Sequence, residues 1–193
     1  MELDRALFHD ISINTLYAGL VLLFFVIIER ALTYAWLGLK AKRIAGVVAS
    51  GSVKPADFSG SDILSRSMAE YVAAQQPATM GRAGVEDLGA ALYIDVDSRV
   101  SQRLWILDTI VTAAPLLGLL GTILGIMDTF NALSSGGISD PAAVSRGIAS
   151  ALLATALGIG TALFGLLGHN ILHRRAESLC EMFKGFLLRT TTV

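Results

Sequence analysis

Three windows of the chain are apolar enough, and long enough, to cross a bilayer as helices: 11–28, 105–128 and 148–168. None of them carries a charge at its centre. The first window does not look like a cleaved signal peptide, because no basic segment precedes it and no small-residue cleavage site ends it. The pattern therefore predicts an all-α integral membrane protein with three transmembrane helices.

Small and hydroxyl residues recur every three or four positions in the second and third windows, which places them on one helical face. The stripe in the second window consists of Asp108, Thr112, Pro115, Gly118, Thr122, Gly125 and Thr129. The stripe in the third consists of Ala151, Thr155, Gly158, Ala162 and Gly165. Such stripes suit either close helix packing or the lining of a narrow polar path, and at this point both uses remain open.

The basic residues predict the orientation of the three helices. The net charge of the 193-residue chain is −1, and only 16% of its residues are charged. Of its 15 Lys and Arg residues, nine lie between the first two windows, four follow the third, and Arg5 and Arg146 lie on the other side. The positive-inside rule then places the N-terminus outside and the C-terminus inside. The expected segments are a periplasmic N-terminus at 1–10, a cytoplasmic helical region at 29–104, a short periplasmic loop at 129–147 and a cytoplasmic amphipathic helix at 169–193.

Helical periodicity continues beyond the second and third windows. Apolar residues recur at helical spacing from Val85 onward, and no breaker precedes Pro115, so the pattern predicts one helix over 85–130 with a candidate kink at Pro115. Asp62 or Ser61 is a suitable cap for a shorter helix ending near Gln76. Beyond the third window, an apolar face continues at Ile171, Leu172, Leu179, Met182, Phe183, Phe186 and Leu187.

The residues offer little catalytic chemistry. The chain has no phosphate-binding loop and no nucleophile elbow, and His169 and His173 lack a third metal ligand nearby. We therefore expect no enzymatic activity, cofactor, metal or nucleic-acid partner. The hydroxyls of Thr122 and Thr155 are candidates for a polar path, whereas Thr112 suits a structural role equally well. Because neither stripe has a titratable group at its centre, a proton path here needs a carboxyl group from another subunit.

Two strings carry a family resemblance. LDTIVTAAPLLGLLGTILGIM at 107–127 resembles the second span of the ExbB/TolQ/MotA family, and GIASALLATALG at 147–158 resembles the start of its third span. The likeness covers about residues 85–190 and is nearest to ExbB or TolQ, because the large cytoplasmic domain of MotA is missing. By this resemblance, Thr122 and Thr155 correspond to pore-facing threonines. The hydroxyl groups of Thr112 and Ser150 are further candidates for the same path, with Ser150 and water as one route of entry and the partner's carboxyl group alone as the other. The resemblance also implies packing roles for Pro115, Gly118, Gly121 and Gly125, and the stripe in the third window predicts the same role for Ala151, Gly158 and Ala162.

The resemblance implies a homopentamer in the inner membrane of a Gram-negative bacterium, surrounding an ExbD/TolR-like single-span partner with a membrane aspartate. Proton flow would then energise a TonB- or TolA-like protein that acts on the outer membrane, in nutrient import or envelope maintenance. Ser150 departs from the family, which commonly has a glutamate at that position. The coupling ion, proton or sodium, stays open. The alternative function is a membrane scaffold with no ion path of its own, and a small-molecule transporter ranks third because three spans lack a polar pocket.

Overall fold

The computed structural model describes residues 2–50, 53–75, 81–136 and 141–191, and within these ranges it is helical with no strand. The α-helices are α1 (Glu2–Ala49), α2 (Ile63–Ala74), α3 (Arg82–Ser101), α4 (Leu104–Gly136) and α5 (Pro141–Thr191), with a 3-10 turn at Pro55–Phe58. Three stretches are long and apolar enough to cross a membrane: Ile13–Ala49, Leu104–Asn131 and Val144–Thr190. The all-α fold class with three candidate spans is thus confirmed, while the orientation stays a prediction.

The helices extend well past the edges of the apolar windows. The segment 129–147, predicted as a loop, is helical through Gly136 and again from Pro141, and residues 137–140 lie outside the described ranges. Pro141 suits the first turn of α5 because that turn has no use for the backbone N–H that proline lacks. Hydropathy marks the apolar length of a helix, whereas its ends are set by backbone hydrogen bonding and capping.

The single helix predicted over 85–130 is wrong. Helix α3 ends at Ser101, Arg103 adopts a left-handed backbone with φ of 71°, and α4 begins at Leu104. A left-handed backbone costs a non-glycine residue about 1–2 kcal/mol, so tertiary contacts must hold it. Two such contacts are present: the Arg103 guanidinium lies 3.1 Å from Glu29, and the Tyr34 hydroxyl donates a 2.7 Å hydrogen bond to the Val100 carbonyl in the last turn of α3.

The chain forms two compact units, and the first consists of Met1–Ile28 with Trp105–Asn170. Its three helices meet where glycines of α5 remove bulk. A side chain at Gly165 would run into Leu23 of α1 and Val111 of α4, and one at Gly168 would run into Ile27 of α1. The absence of a Cβ therefore lets α5 pack closely against α1 and α4. We call this part the membrane unit.

The second unit consists of Glu29–Leu104 with Ile171–Val193. Here α1 buries Tyr34, Leu37, Ala41, Ile44 and Val48, at alternating spacings of three and four. Helix α3 buries Val85, Leu92, Val96 and Val100, which confirms most of its predicted apolar face. Helix α5 buries Leu172, Leu179, Phe183, Phe186 and Leu187, but Ile171 and Met182, predicted on the same face, are exposed.

The lone cysteine lies in the core of the second unit. Cys180 is buried, and burial together with a hydrogen bond to the Asp97 carboxylate raises the pKa of its thiol to about 12. The thiolate is the reactive form, so this cysteine has the character of a small apolar core residue.

Candidate functional site

Helices α4 and α5 of the membrane unit approach each other through glycine. A Cβ built on Gly158 would lie 2.5 Å from the Ala114 carbonyl oxygen and 3.0 Å from the Gly118 Cα atom. A Cβ on Gly118 would likewise lie 2.9 Å from the Ala154 carbonyl oxygen. Because the opposing atoms belong to the backbone, no rotamer change could relieve either clash. These glycines therefore set the distance between the helices, as expected of a small-residue crossing in a membrane.

The crossing brings two hydroxyl groups together, and we call Thr122 and Thr155 the threonine pair. Their Oγ1 atoms are hydrogen-bonded to each other. Thr122 Oγ1 also lies 3.1 Å from the carbonyl oxygens of Gly118, on its own helix, and Ala151, on α5. Thr155 Oγ1 lies 3.3 Å from the Gly118 carbonyl oxygen across the crossing. Two side chains singled out by sequence on different helices thus share one half-buried polar site.

The donors and acceptors of the threonine pair can be counted. Each hydroxyl has one hydrogen to donate and two lone pairs. One hydrogen is used in the bond between the two threonines, and the other reaches a carbonyl of Gly118 or Ala151. Both hydroxyl hydrogens therefore donate to oxygen atoms of this chain. The threonine pair can form further hydrogen bonds only as an acceptor, through its remaining lone pairs. Threonine does not titrate near neutral pH, so the pair can orient a proton donor but cannot carry the proton itself.

The other hydroxyls assigned to the polar path bond within their own helices. Thr112 is exposed and donates to the carbonyl of Asp108 or Thr109, each at 3.0 Å. Ser150 is half-buried and donates to the Gly147 carbonyl at 2.9 Å. Such bonds to the preceding turn are the ordinary structural role of a hydroxyl in a helix. No hydrogen bond joins either residue to the threonine pair among the described residues.

The residues predicted to pack do so to different degrees. Gly118, Gly121 and Gly158 lie at the closest approach, and a Cβ on Gly121 would lie 2.9 Å from the Ala154 Cβ. Ala151 is fully buried and Gly125 is buried. Pro115 and Ala162 are half-buried. The small-residue face is therefore closest around Gly118 and Gly158 and less enclosed toward Ala162.

Two contributors to the crossing were not among the predicted site residues. Ala154 is almost completely buried and faces both Gly118 and Gly121. Its spacing of three from Ala151 is the sequence signal for this role, because positions 154 and 155 both lie on the helical face that includes Ala151. Thr129 is also buried, donates a 2.8 Å hydrogen bond to the Gly125 carbonyl, and occupies the space that a side chain at Gly147 would need.

The described residues offer little to a metal ion. Within 2–50, 53–75, 81–136 and 141–191, no three His, Cys, Asp or Glu side chains come together as a potential metal site. His173, one of the two histidines spaced by four, lies 3.3 Å from Glu177. The chemistry of the site in the membrane unit is thus that of hydroxyls and backbone carbonyls.

Comparison with known proteins identifies the family. The sequence profile of the MotA/TolQ/ExbB proton channel family matches residues 61–184, which is more than half of the chain and includes the whole α4–α5 crossing. The chain belongs to this family. Its three long apolar helices and its ExbB relatives indicate that it is a multi-pass membrane protein.

Relatives carry names from two branches of the family. Biopolymer transport protein ExbB of Helicobacter pylori is 39% identical over 95 residues, covering 48% of this chain and 66% of that protein. Tol-Pal system protein TolQ of Haemophilus influenzae is 32% identical over 106 residues, covering 55% of this chain and 46% of that protein. A putative ExbB homologue of Methanothermobacter thermautotrophicus is 44% identical over 82 residues, covering 42% of this chain and 29% of that protein. The chain thus spans less than two thirds of the length of each.

Proposed function

We propose that this chain is a channel subunit of a proton-driven motor and that the threonine pair lines its proton path. The observation that carries the proposal is the hydrogen-bonded meeting of Thr122 and Thr155 on two membrane helices. The surrounding crossing is made of glycine and alanine, so this is a polar site within a closely packed apolar surface. Membership of a proton channel family supports this assignment.

The proposal requires a second protein to carry the proton. Residues 109–127 and 147–168 contain no acidic or basic side chain. A proton path through a membrane normally uses a titratable group, and a threonine hydroxyl is not one. We assign that group to a single-span partner of the ExbD or TolR type, which would place a membrane aspartate against the threonine pair.

The donor count gives the threonine pair a definite role toward that carboxyl. Because both hydroxyl hydrogens are used within the chain, the pair presents lone pairs to its surroundings. A protonated carboxyl can donate to these lone pairs, whereas a carboxylate only accepts and gains nothing from them. The pair therefore favours the neutral aspartate, the form that can pass through an apolar environment at low cost.

The remaining parts of the motor follow from the family and from the charge pattern. We propose a homopentamer in the inner membrane of a Gram-negative bacterium, with the N-terminus in the periplasm. Proton entry would drive motion that a TonB- or TolA-like protein transmits to the outer membrane. One charge moving through 100 mV releases about 2.3 kcal/mol, so each proton supplies a small step and several must be coupled. The chain itself would perform no enzymatic reaction.

The test replaces each hydroxyl by a methyl group of similar shape. Thr122→Val and Thr155→Val, each co-purified with the partner and placed in liposomes, should lower voltage-driven proton uptake by about tenfold or more, equivalent to ~1.4 kcal/mol of lost hydrogen bonding. The matched control is Thr161→Val, because Thr161 is buried on the same helix but donates only to the Leu157 carbonyl of its own turn. If the three variants conduct alike, the threonine pair does not line the path.

A membrane scaffold without an ion path is the second candidate. One observation favours it: the two hydroxyls bond to each other and to the carbonyl oxygens of Gly118 and Ala151, which is also what a purely structural link between α4 and α5 would do. In that case Thr122→Val and Thr155→Val would reduce the stability of the oligomer in native mass spectrometry, and the wild-type complex would give no proton uptake at all.

A further inference from the structure

The second unit contains a groove of about 360 Å³ between α1 and α5, which we call the basic groove. One part of its wall is apolar and consists of Ala35, Leu39, Leu179 and Met182. The polar part consists of Lys42, Arg175, Ser178 and Tyr34. The groove therefore combines two cations and two hydroxyl groups with an apolar surface, which is the chemistry of an amphiphilic anion site.

The two cations of the basic groove have no acidic partner in the part of the chain that the structure describes. Elsewhere in the second unit, Lys40 pairs with Asp62 and Arg99 pairs with Asp95. Within the described ranges, no carboxylate lies at ion-pair distance from Lys42 or Arg175. Two uncompensated cations on one concave surface raise the local positive potential and attract an anion.

The apolar wall favours an anion that carries hydrocarbon. Leu39 is 69% exposed and Met182 is 36% exposed. A small inorganic anion on the cations would leave both of these side chains in water, whereas an acyl chain would cover them. Close by on α1, Trp36 is half exposed with the Lys40 ammonium 5.2 Å from its ring centre. An aromatic ring beside a lysine is typical of the level at which lipid headgroups lie.

We propose that the basic groove binds an anionic glycerophospholipid. Its phosphate lies between Lys42 and Arg175, with the Ser178 hydroxyl as a further donor, and its acyl chain covers Leu39 and Met182. The Tyr34 hydroxyl already donates to the Val100 carbonyl, so it serves as wall. Basic pockets between membrane helices commonly recognise anionic headgroups in this way. The proposal is independent of the proton path, since it uses no residue of the membrane unit.

The test measures lipid retained by the full-length chain. The protein, exchanged into detergent with dioleoyl-phosphatidylglycerol or dioleoyl-phosphatidylcholine, is titrated by native mass spectrometry. Lys42→Gln/Arg175→Gln should weaken phosphatidylglycerol binding by about 30-fold, taking about a fivefold loss per cation. The matched control is Arg43→Gln/Arg174→Gln, which removes the same charge at adjacent positions that do not line the groove. This control should stay within about threefold of wild type.

A charge-retaining variant keeps the test decisive if the double glutamine variant fails to fold. Lys42→Arg/Arg175→Lys preserves both cations and should retain phosphatidylglycerol at close to wild-type affinity. Equal weakening by the two glutamine doubles, or equal binding of the two lipids, would overturn the proposal. So would full competition by inorganic phosphate, which would show that the acyl chain contributes nothing. A loss of oligomer mass in place of bound lipid would assign the groove to a contact between copies.

Discussion

Replacing Gly158 by alanine would place a methyl group against the backbone of α4. The new Cβ would lie 2.5 Å from the Ala114 carbonyl oxygen, and ordinary van der Waals contact begins at about 3.4 Å, so the helices must separate by roughly 0.9 Å. Overpacking of this kind costs about 1–3 kcal/mol. The separation also lengthens the hydrogen bonds of the threonine pair, so the loss of stability should be accompanied by lower proton uptake.

The control for this prediction lies two residues away. A Cβ built on Gly160 meets nothing within 4 Å, so Gly160→Ala should be neutral or stabilise the helix by up to about 1 kcal/mol. Reversible unfolding of both variants in a lipid–detergent mixture, followed by circular dichroism, gives the two free energies. We expect Gly158→Ala to be less stable than Gly160→Ala by about 2 kcal/mol or more. Equal stabilities would show that the crossing can open without cost and would refute the reasoning.

Three further predictions concern the second unit. Arg103→Gly should be about 1 kcal/mol more stable than Arg103→Ala in chemical unfolding, the reverse of their order inside a helix, because position 103 is left-handed. The pKa of Cys180 is raised from 9.0 to about 12 by burial and by Asp97, so its thiol should resist iodoacetamide at pH 8 in the folded protein. The stability that this thiol contributes is present below pH 9 and is lost as the pH rises toward 12. Melting curves of Cys180→Ser should lack this contribution to the pH dependence. Asp62→Ala removes the α2 cap, whose carboxylate accepts from the Ser65 amide at 3.1 Å, and should lower the melting temperature by an amount corresponding to about 1 kcal/mol, while Asp62→Asn restores most of it.

Hydrophobic periodicity predicted the membrane helices because lipid demands one long apolar run per span, a signal that is local in the sequence. The stripes likewise placed Thr122 and Thr155 on packing faces. What periodicity could not supply is which residue of one helix opposes which residue of the other. That register depends on the approach of Gly118 to Gly158. In the described structure it gives Thr122 a hydrogen-bonding partner on α5, whereas Thr112 bonds only within α4.

The break between α3 and α4 could not be predicted from the sequence, for a related reason. No glycine, proline or asparagine marks residues 101–104, and arginine is a good helix former. The left-handed backbone at Arg103 is accompanied by an ion pair with Glu29, 74 positions earlier in the chain. Local propensity contains no information about such a partner, so the continuous helix was the natural expectation.

The meeting of Gly118 and Gly158 also has a genetic consequence. Every glycine codon begins with two guanines, and any change at either of them inserts a residue with a Cβ, or in one case a stop. Alanine, the mildest of these, already meets backbone atoms at both positions. No amino acid other than glycine is smaller than alanine, so every replacement at these two positions should clash. These two codons should therefore tolerate only third-base changes in a saturation-mutagenesis selection for membrane function. The codon for Gly160, which faces open space, should accept alanine in the same selection.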